Sequence, residues 1–195
     1  MKSAVLSTSL LVLSEAAVLE LPLKKHTNSG SLKEINEAVV WNYENSEYYI
    51  DVSLGTPPQH FKVLLDTTCG DLIIPGVGCS YGSCGSHHEY NSAASSTYIK
   101  KIDSFATPYG SGYLEGTQSM DTMNLGGLTL PFQEFAEITT VKDYGDNYLN
   151  AQYDGVLGMG FLAQSVNGVN SPFNNLLNEG LIDDDVVSAI ALLRT

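Results

Sequence analysis

The chain has 195 residues, enough for one or two domains. Its 43% hydrophobic content, with 18 glycines and 11 tyrosines, fits a globular, β-rich protein and not a disordered or fibrous one. Nine basic residues against 22 acidic ones give a formal net charge of −13, which excludes nucleic acid as a partner, because phosphate contacts need clustered Lys and Arg. The same acidity suits a low-pH compartment, where protonation relieves self-repulsion.

Residues 1–16 read as a secretory signal peptide. Lys2 gives a short basic start, residues 4–13 an apolar stretch, and Ser14 and Ala16 small side chains at the positions a signal peptidase reads. An amphipathic N-terminal helix is the alternative. The stretch is too short to span a bilayer, and no second long apolar run follows, so no membrane partner is expected. Residues 17–40 open with Leu19-Glu20-Leu21-Pro22-Leu23-Lys24-Lys25 and continue through a polar linker around Ser29-Gly30-Ser31. By itself this segment reads as a disordered tail.

Strand character begins near Trp41 and runs through Tyr48-Tyr49-Ile50-Asp51-Val52. Gly55-Thr56-Pro57-Pro58 is a turn, after which His60-Phe61-Lys62-Val63 resumes a strand. That strand runs through Leu64-Leu65 into Asp66-Thr67-Thr68-Cys69-Gly70, and a second apolar run, Leu72-Ile73-Ile74-Pro75, leaves the cluster. Neither run alternates with polar residues, so both strands are expected to be buried. A carboxylate at the inner end of a buried strand is costly unless hydrogen-bonded, and Thr67 and Thr68 are the nearest donors. A local Asx-turn is the plainer account of such a string.

Cys79 and Cys84 flank a short Gly-containing loop that can close as a disulfide, leaving Cys69 as a free buried thiol or an intermolecular partner. His87 and His88 read as solvated loop residues; no His/Cys cluster has zinc-site spacing, and neither a metal nor a cofactor is expected. Tyr109-Gly110-Ser111-Gly112 suits the tip of a mobile hairpin. Residues 132–141 carry strand character, residues 144–152 read as a polar loop, and Asp154-Gly155 as a turn. Phe173 to Gly180 has helical spacing with a glycine stop. Residues 181–182 extend that helix by a turn, and residues 186–193 look like a last strand.

Taken together these stretches resemble the first lobe of the pepsin-like aspartic proteases. The opening hairpin through Gly55-Thr56-Pro57-Pro58-Gln59 is the most specific match. The Asp66 stretch is similar to the family's apolar-apolar-Asp-Thr-Gly-Ser-Ser-x-Leu-Trp-Val-Pro, with Asp66, Thr67, Leu72 and Pro75 in place. Thr68 stands where the family has Gly, Cys69 and Gly70 where it has Ser-Ser, and Ile73 where it has Trp. Tyr109-Gly110-Ser111-Gly112 resembles the flap, and Tyr153-Asp154-Gly155-Val156-Leu157-Gly158 the segment that braces the active-site loop.

The resemblance implies an all-β, single N-terminal lobe of the acid-protease fold, with short helices, over residues 41–195. It implies a short propeptide over residues 17–40, hence a zymogen, and a disulfide between Cys79 and Cys84. It makes Asp66 a catalytic carboxylate, Thr67 and Thr68 its loop, Tyr109, Gly110 and Ser111 the substrate-binding flap, and Tyr153 and Val156 pocket residues. The implied activity is acid proteolysis of peptides or proteins, in a secreted or an acidic vacuolar or lysosomal setting. No second Asp-Thr-Gly or Asp-Ser-Gly string occurs. The chain is therefore expected to hold half of a two-carboxylate site and to need a second lobe or a second copy of itself. A catalytically inactive peptide-binding lobe and a truncated product are the alternatives. Two consequences follow from the departures: Thr68 carries strain of about 1–3 kcal/mol if its position demands Gly-like torsions, and Cys69 replaces a Ser hydroxyl that would orient the carboxylate.

Overall fold

The computed structural model describes residues 18–24, 35–43, 47–80, 84, 87–143, 148 and 150–182. The signal peptide at 1–16, the linker within 25–34 and the strand expected at 186–193 lie outside them. The strands are β1 (Val18–Lys24), β2 (Ile35–Tyr43), β3 (Glu47–Leu54), β4 (Gln59–Asp66), β5 (Leu72–Ser80), β6 (Ile99–Tyr109), β7 (Gly112–Leu125), β8 (Leu128–Lys142) and β9 (Gly155–Gly158). Two 3₁₀ turns, Ser92–Ala94 and Leu162–Gln164, and one helix, α1 (Pro172–Asn178), complete the described elements. The protein is thus all-β with short helices. Residues 18–24 form a strand paired antiparallel with β2, not a free tail.

The strands join in one sheet in the order β1-β2-β3-β4-β9-β5-β8-β7-β6, and an extra β3–β7 pairing folds it back on itself. Two pairings are parallel, β4–β9 and β5–β8. Side chains alternate between two apolar clusters, one on each face. Leu72, Ile74, Leu157 and Phe135 enter the first, with Val52, Phe61, Val63 and Leu125. Their immediate neighbours Ile73, Val156 and Ala136 enter the second, with Phe105, Leu114, Ile138 and Tyr153. A strand buried on both faces needs no polar alternation, which is why β5 and β9 read as continuous apolar runs. The reading of β4 as equally buried is corrected: His60 and Lys62 are exposed while Phe61 and Val63 are buried, so the outer half of β4 covers one face only.

The β3–β4 connection follows the expected turn, Leu54 pairing with Gln59. The β6–β7 hairpin closes with Tyr109 opposite Gly112. Gly110 takes φ +57° there, a left-handed torsion at the first turn position that an L side chain adopts only at a cost. Helix α1 starts at Ser171, whose hydroxyl accepts from the Asn174 N–H at 3.3 Å, with Pro172 in the first turn. It buries Leu176 in the first cluster. Leu181 and Ile182 follow as a bend and not as the extra helical turn expected.

Among the described residues no helix is long and apolar enough to cross a membrane. Gln118 on β7 is 1% exposed, and both polar atoms of its side chain lack a hydrogen-bond partner among the described residues. An unsatisfied buried amide costs about 1–3 kcal/mol. Gln118→Leu is therefore expected to raise the unfolding free energy by about 1–3 kcal/mol in urea denaturation, whereas a loss of stability would show that the amide is bonded.

Candidate active site

Asp66 ends β4 beside β9. In the parallel register Leu64 faces Val156, Leu65 faces Leu157 and Asp66 faces Gly158. On the other flank of β9, β5 pairs Leu72 with Leu157 and Ile73 with Val156. Residues 67–71 must therefore cross the end of β9, and the backbone of that segment holds them. Met159 N donates to Asp66 O at 2.8 Å, Gly160 N to Cys69 O at 2.8 Å, and Gly158 N to Asp71 O at 2.9 Å. A Cβ on Gly158 would lie 2.5 Å from Asp71 N and 2.7 Å from Cys69 O, so only glycine permits this approach. Asp71, buried, accepts from Ser165 Oγ at 2.8 Å and from Val166 N at 3.1 Å. Gln164 Nε2 donates to Thr68 O at 3.2 Å. The loop is thus fastened from below by β9 and from the side by residues 164–166.

The carboxylate itself is half-buried, and its two oxygens are held differently. Oδ1 accepts from Thr68 N at 2.7 Å and from Thr68 Oγ1 at 2.6 Å. Oδ2 accepts from the Tyr109 hydroxyl at 2.7 Å. Burial pushes the carboxyl upward, but the Thr68 and Tyr109 hydroxyls and the Thr68 and Cys69 N–H groups outweigh it and hold Asp66 below the usual carboxylate value. Of the two expected donors only Thr68 serves; Thr67 is exposed, with no bond to Asp66 among the described residues. Thr68 is not in the left-handed region, where Phe132 and Asp143 are the only non-glycine residues among those described. The strain expected there is absent.

Cys69 is a free thiol, half-buried. Its sulfur turns toward Asp71, donating to Asp71 O at 3.6 Å and accepting from Asp71 N at 3.4 Å. Burial pushes it up to about 11, so it stays protonated and unreactive near neutrality. Cys79 and Cys84 are disulfide-bonded, with Cα atoms 5.7 Å apart.

Above the loop, Tyr109 and Gly110 close over an open cleft of about 340 Å³ whose floor carries Asp66, Thr68, Cys69 and Asp71. Ser111 sits exposed at the hairpin tip and does not line it. Tyr153 and Val156 instead line a smaller apolar cavity of about 30 Å³, with Ile73, Leu114 and Ile138, on the far side of Tyr109. Tyr109 thus lies between a polar chamber and an apolar one, lining both. The Ile73 side chain carries no N–H, and the Tyr109 hydroxyl donates to the Asp66 carboxylate.

The sequence reading missed the polar network behind the site. Asp154, 5% exposed, accepts from Lys62 N and His88 N at 2.8 Å each. The reading of the two histidines as solvated holds for His88 and is corrected for His87. The His88 side chain is 77% exposed, but that of His87 is 5% exposed. His87 stacks on Tyr148 at 4.2 Å between ring centroids, with Nε2 at 2.6 Å from Tyr148 O. The Tyr148 hydroxyl in turn donates to the Asp154 backbone oxygen, so residue 148 of the expected polar loop is buried. The aspartate-glycine pair was the only local signal, and its partners lie 66 and 92 residues away. Among the described residues no group of His, Cys, Asp or Glu could hold a metal ion.

The half-buried Asp66 carboxylate is thus hydrogen-bonded on both oxygens, by Thr68 on Oδ1 and by the Tyr109 hydroxyl on Oδ2. Tyr109→Phe removes one charge-assisted donor, for a loss of about 1 kcal/mol after allowance for partial exposure. Asp66, lowered in the folded state, contributes stability above its unfolded value and loses it as pH falls through the folded one. The Tyr109→Phe deficit in urea unfolding is thus expected near pH 7 and should shrink toward acid pH; a deficit independent of pH would place the hydroxyl elsewhere.

Residues 47–192 match the family profile described as eukaryotic aspartyl protease. The chain is 44% identical over 153 residues to a probable vacuolar protease A of Trichophyton verrucosum, a match spanning 78% of this chain and 38% of that protein. It is 42% identical over 165 residues to renin-2 of Mus musculus, spanning 83% and 40%. It is 41% identical over 149 residues to cathepsin D of Chionodraco hamatus, spanning 75% and 37%. The chain thus covers about two-fifths of the length of these relatives.

Proposed function

The chain belongs to the eukaryotic aspartyl protease family, and from that membership we propose that it supplies one lobe of an aspartic endopeptidase, with Asp66 as one of two catalytic carboxylates. The observation that supports this reading is the Asp66 carboxylate, delivered by the β4–β9 pair to the floor of a cleft beneath Tyr109. Two carboxylates at contact distance share one proton, because both cannot ionise easily. One takes a proton from water while the other donates to the peptide carbonyl. The donors on Asp66 favour its ionised form, which suits it to the base. A lone carboxylate cannot hold both roles in the same step, so the second comes from a second lobe or a second copy.

Thr67 and Thr68 form the active-site loop, and Tyr109, Gly110 and Ser111 the flap that folds over a peptide. Tyr153 and Val156 wall the apolar side on which a substrate side chain rests. The substrate is a peptide or protein, and an acidic compartment is the natural setting, the vacuole being the one named in the fungal relatives. Residues 1–16 direct the chain into the secretory route, and residues 17–40 act as a short propeptide.

The test is hydrolysis of a peptide at about pH 3–5, around the reference carboxylate values, followed against protein concentration together with sedimentation. The chain as a monomer is expected to cleave little or nothing. Activity rising with the square of dilute concentration, and lost in Asp66→Asn, would identify the second copy as the donor of the other carboxylate. Robust hydrolysis by a strict monomer, abolished in Asp66→Ala, would contradict the half-site. Peptide binding without cleavage at any concentration would instead favour the inactive binding lobe, because Asp66 would then have no partner.

A further inference from the structure

Resting on the reading of Asp66 as the reacting carboxylate, we propose that Thr68 is its positioning residue, supplying from one position earlier the hydroxyl that Cys69 cannot. The family pattern puts a Gly and then a Ser after Asp-Thr, with the Ser hydroxyl orienting the carboxylate; here the two positions hold Thr68 and Cys69. Thr68 Oγ1 lies 2.6 Å from Asp66 Oδ1, and Thr68 N lies 2.7 Å from the same oxygen. Both donors of one residue therefore converge on one carboxylate oxygen. The Cys69 sulfur faces Asp71 instead, at 3.4 Å from its N and 3.6 Å from its O.

The swap is coherent with the backbone. Thr68 needs no left-handed torsion, so a β-branched residue is tolerated where the family has Gly. Its stiff χ1 fixes the hydroxyl with less rotamer freedom than a serine has. The Thr68 carbonyl is itself held by Gln164 Nε2 at 3.2 Å, so the donor is anchored from behind. A thiol at residue 69 is only a weak donor, and it is occupied. With Oδ1 committed to Thr68, the carboxylate cannot rotate freely, and Oδ2 becomes the oxygen that faces the cleft once Tyr109 lifts. Among the described residues, the other titratable groups facing Asp66 are Tyr109 from the β6–β7 hairpin and Cys69 and Asp71 from its own loop, and none of those lining the cleft is basic.

The experiment is a carbon-13 titration of the Asp66 carboxyl in the full chain, compared among Thr68→Val, Thr68→Ser, Thr68→Gly and the double variant Thr68→Gly with Cys69→Ser. Thr68→Val keeps the branched shape and removes the hydroxyl; its midpoint is expected to move up toward the ordinary carboxylate value. Thr68→Ser should titrate with the native chain. Thr68→Gly should move up, and the double variant should return toward native by restoring a hydroxyl one residue later. A purely structural role would not be rescued by a hydroxyl at the neighbouring position. If Thr68→Val unfolds, the single and double glycine variants carry the comparison. Native midpoints in Thr68→Val or Thr68→Gly, or no return in the double variant, would overturn the proposal. The readout needs no hydrolysis, so this pattern in a chain that binds peptide but cleaves none at any concentration would count against the protease reading and leave Thr68 as the positioning residue of a binding lobe.

Discussion

A carboxylate drawn half out of water must be given donors, and the architecture around Asp66 exists to hold those donors still. The parallel β4–β9 register sets where the strand ends. The close approach at Gly158 lets the loop turn across the strand beside it. Asp71 and Gln164 then pin the loop to residues 164–166. Loosening any of these would let the Thr68 hydroxyl drift from Oδ1, leaving fewer donors against the desolvation that raises the carboxyl.

The same device recurs elsewhere in the lobe. Asp121, buried under the β3–β4 turn, accepts from Tyr90 Oη and Thr97 Oγ1 at 2.5 Å each and from Thr122 N at 2.7 Å. Burial raises it, but the surrounding hydroxyls, with the Thr122 N–H, hold it low. Asp154 ties β4 to the segment after the disulfide through Lys62 N and His88 N. Buried aspartates thus join segments that the sheet alone leaves unconnected, satisfied by backbone N–H groups, hydroxyls and, at Asp154, the His88 ring, rather than by Lys or Arg. That arrangement suits an acidic chain with only nine basic residues.

Local strings carried much of this into the sequence. The all-β class, the Gly55–Gln59 turn, the strand ending at Asp66, the hairpin tip at Gly110 and the helix before Gly180 each depend on neighbouring residues, so a linear reading reaches them. The contacts that complete the site do not. Tyr109 meets Asp66 across 43 positions and Ser165 meets Asp71 across 94, and no periodicity encodes such pairs. The exposure of Lys62 and His60 was hidden for a related reason: Val63 to Leu65 dominate the stretch, while the alternation lies before them. At Thr68 the string suggested strain, but the torsion that decides strain is a property of the folded loop.

The most direct measurement of the central claim is the titration of the Asp66 carboxyl in the native chain as a monomer. A carboxylate held by Thr68 and Tyr109 predicts a single transition below the ordinary Asp value of about 3.9. A transition at or above that value, or two coupled steps within one chain, would contradict the account.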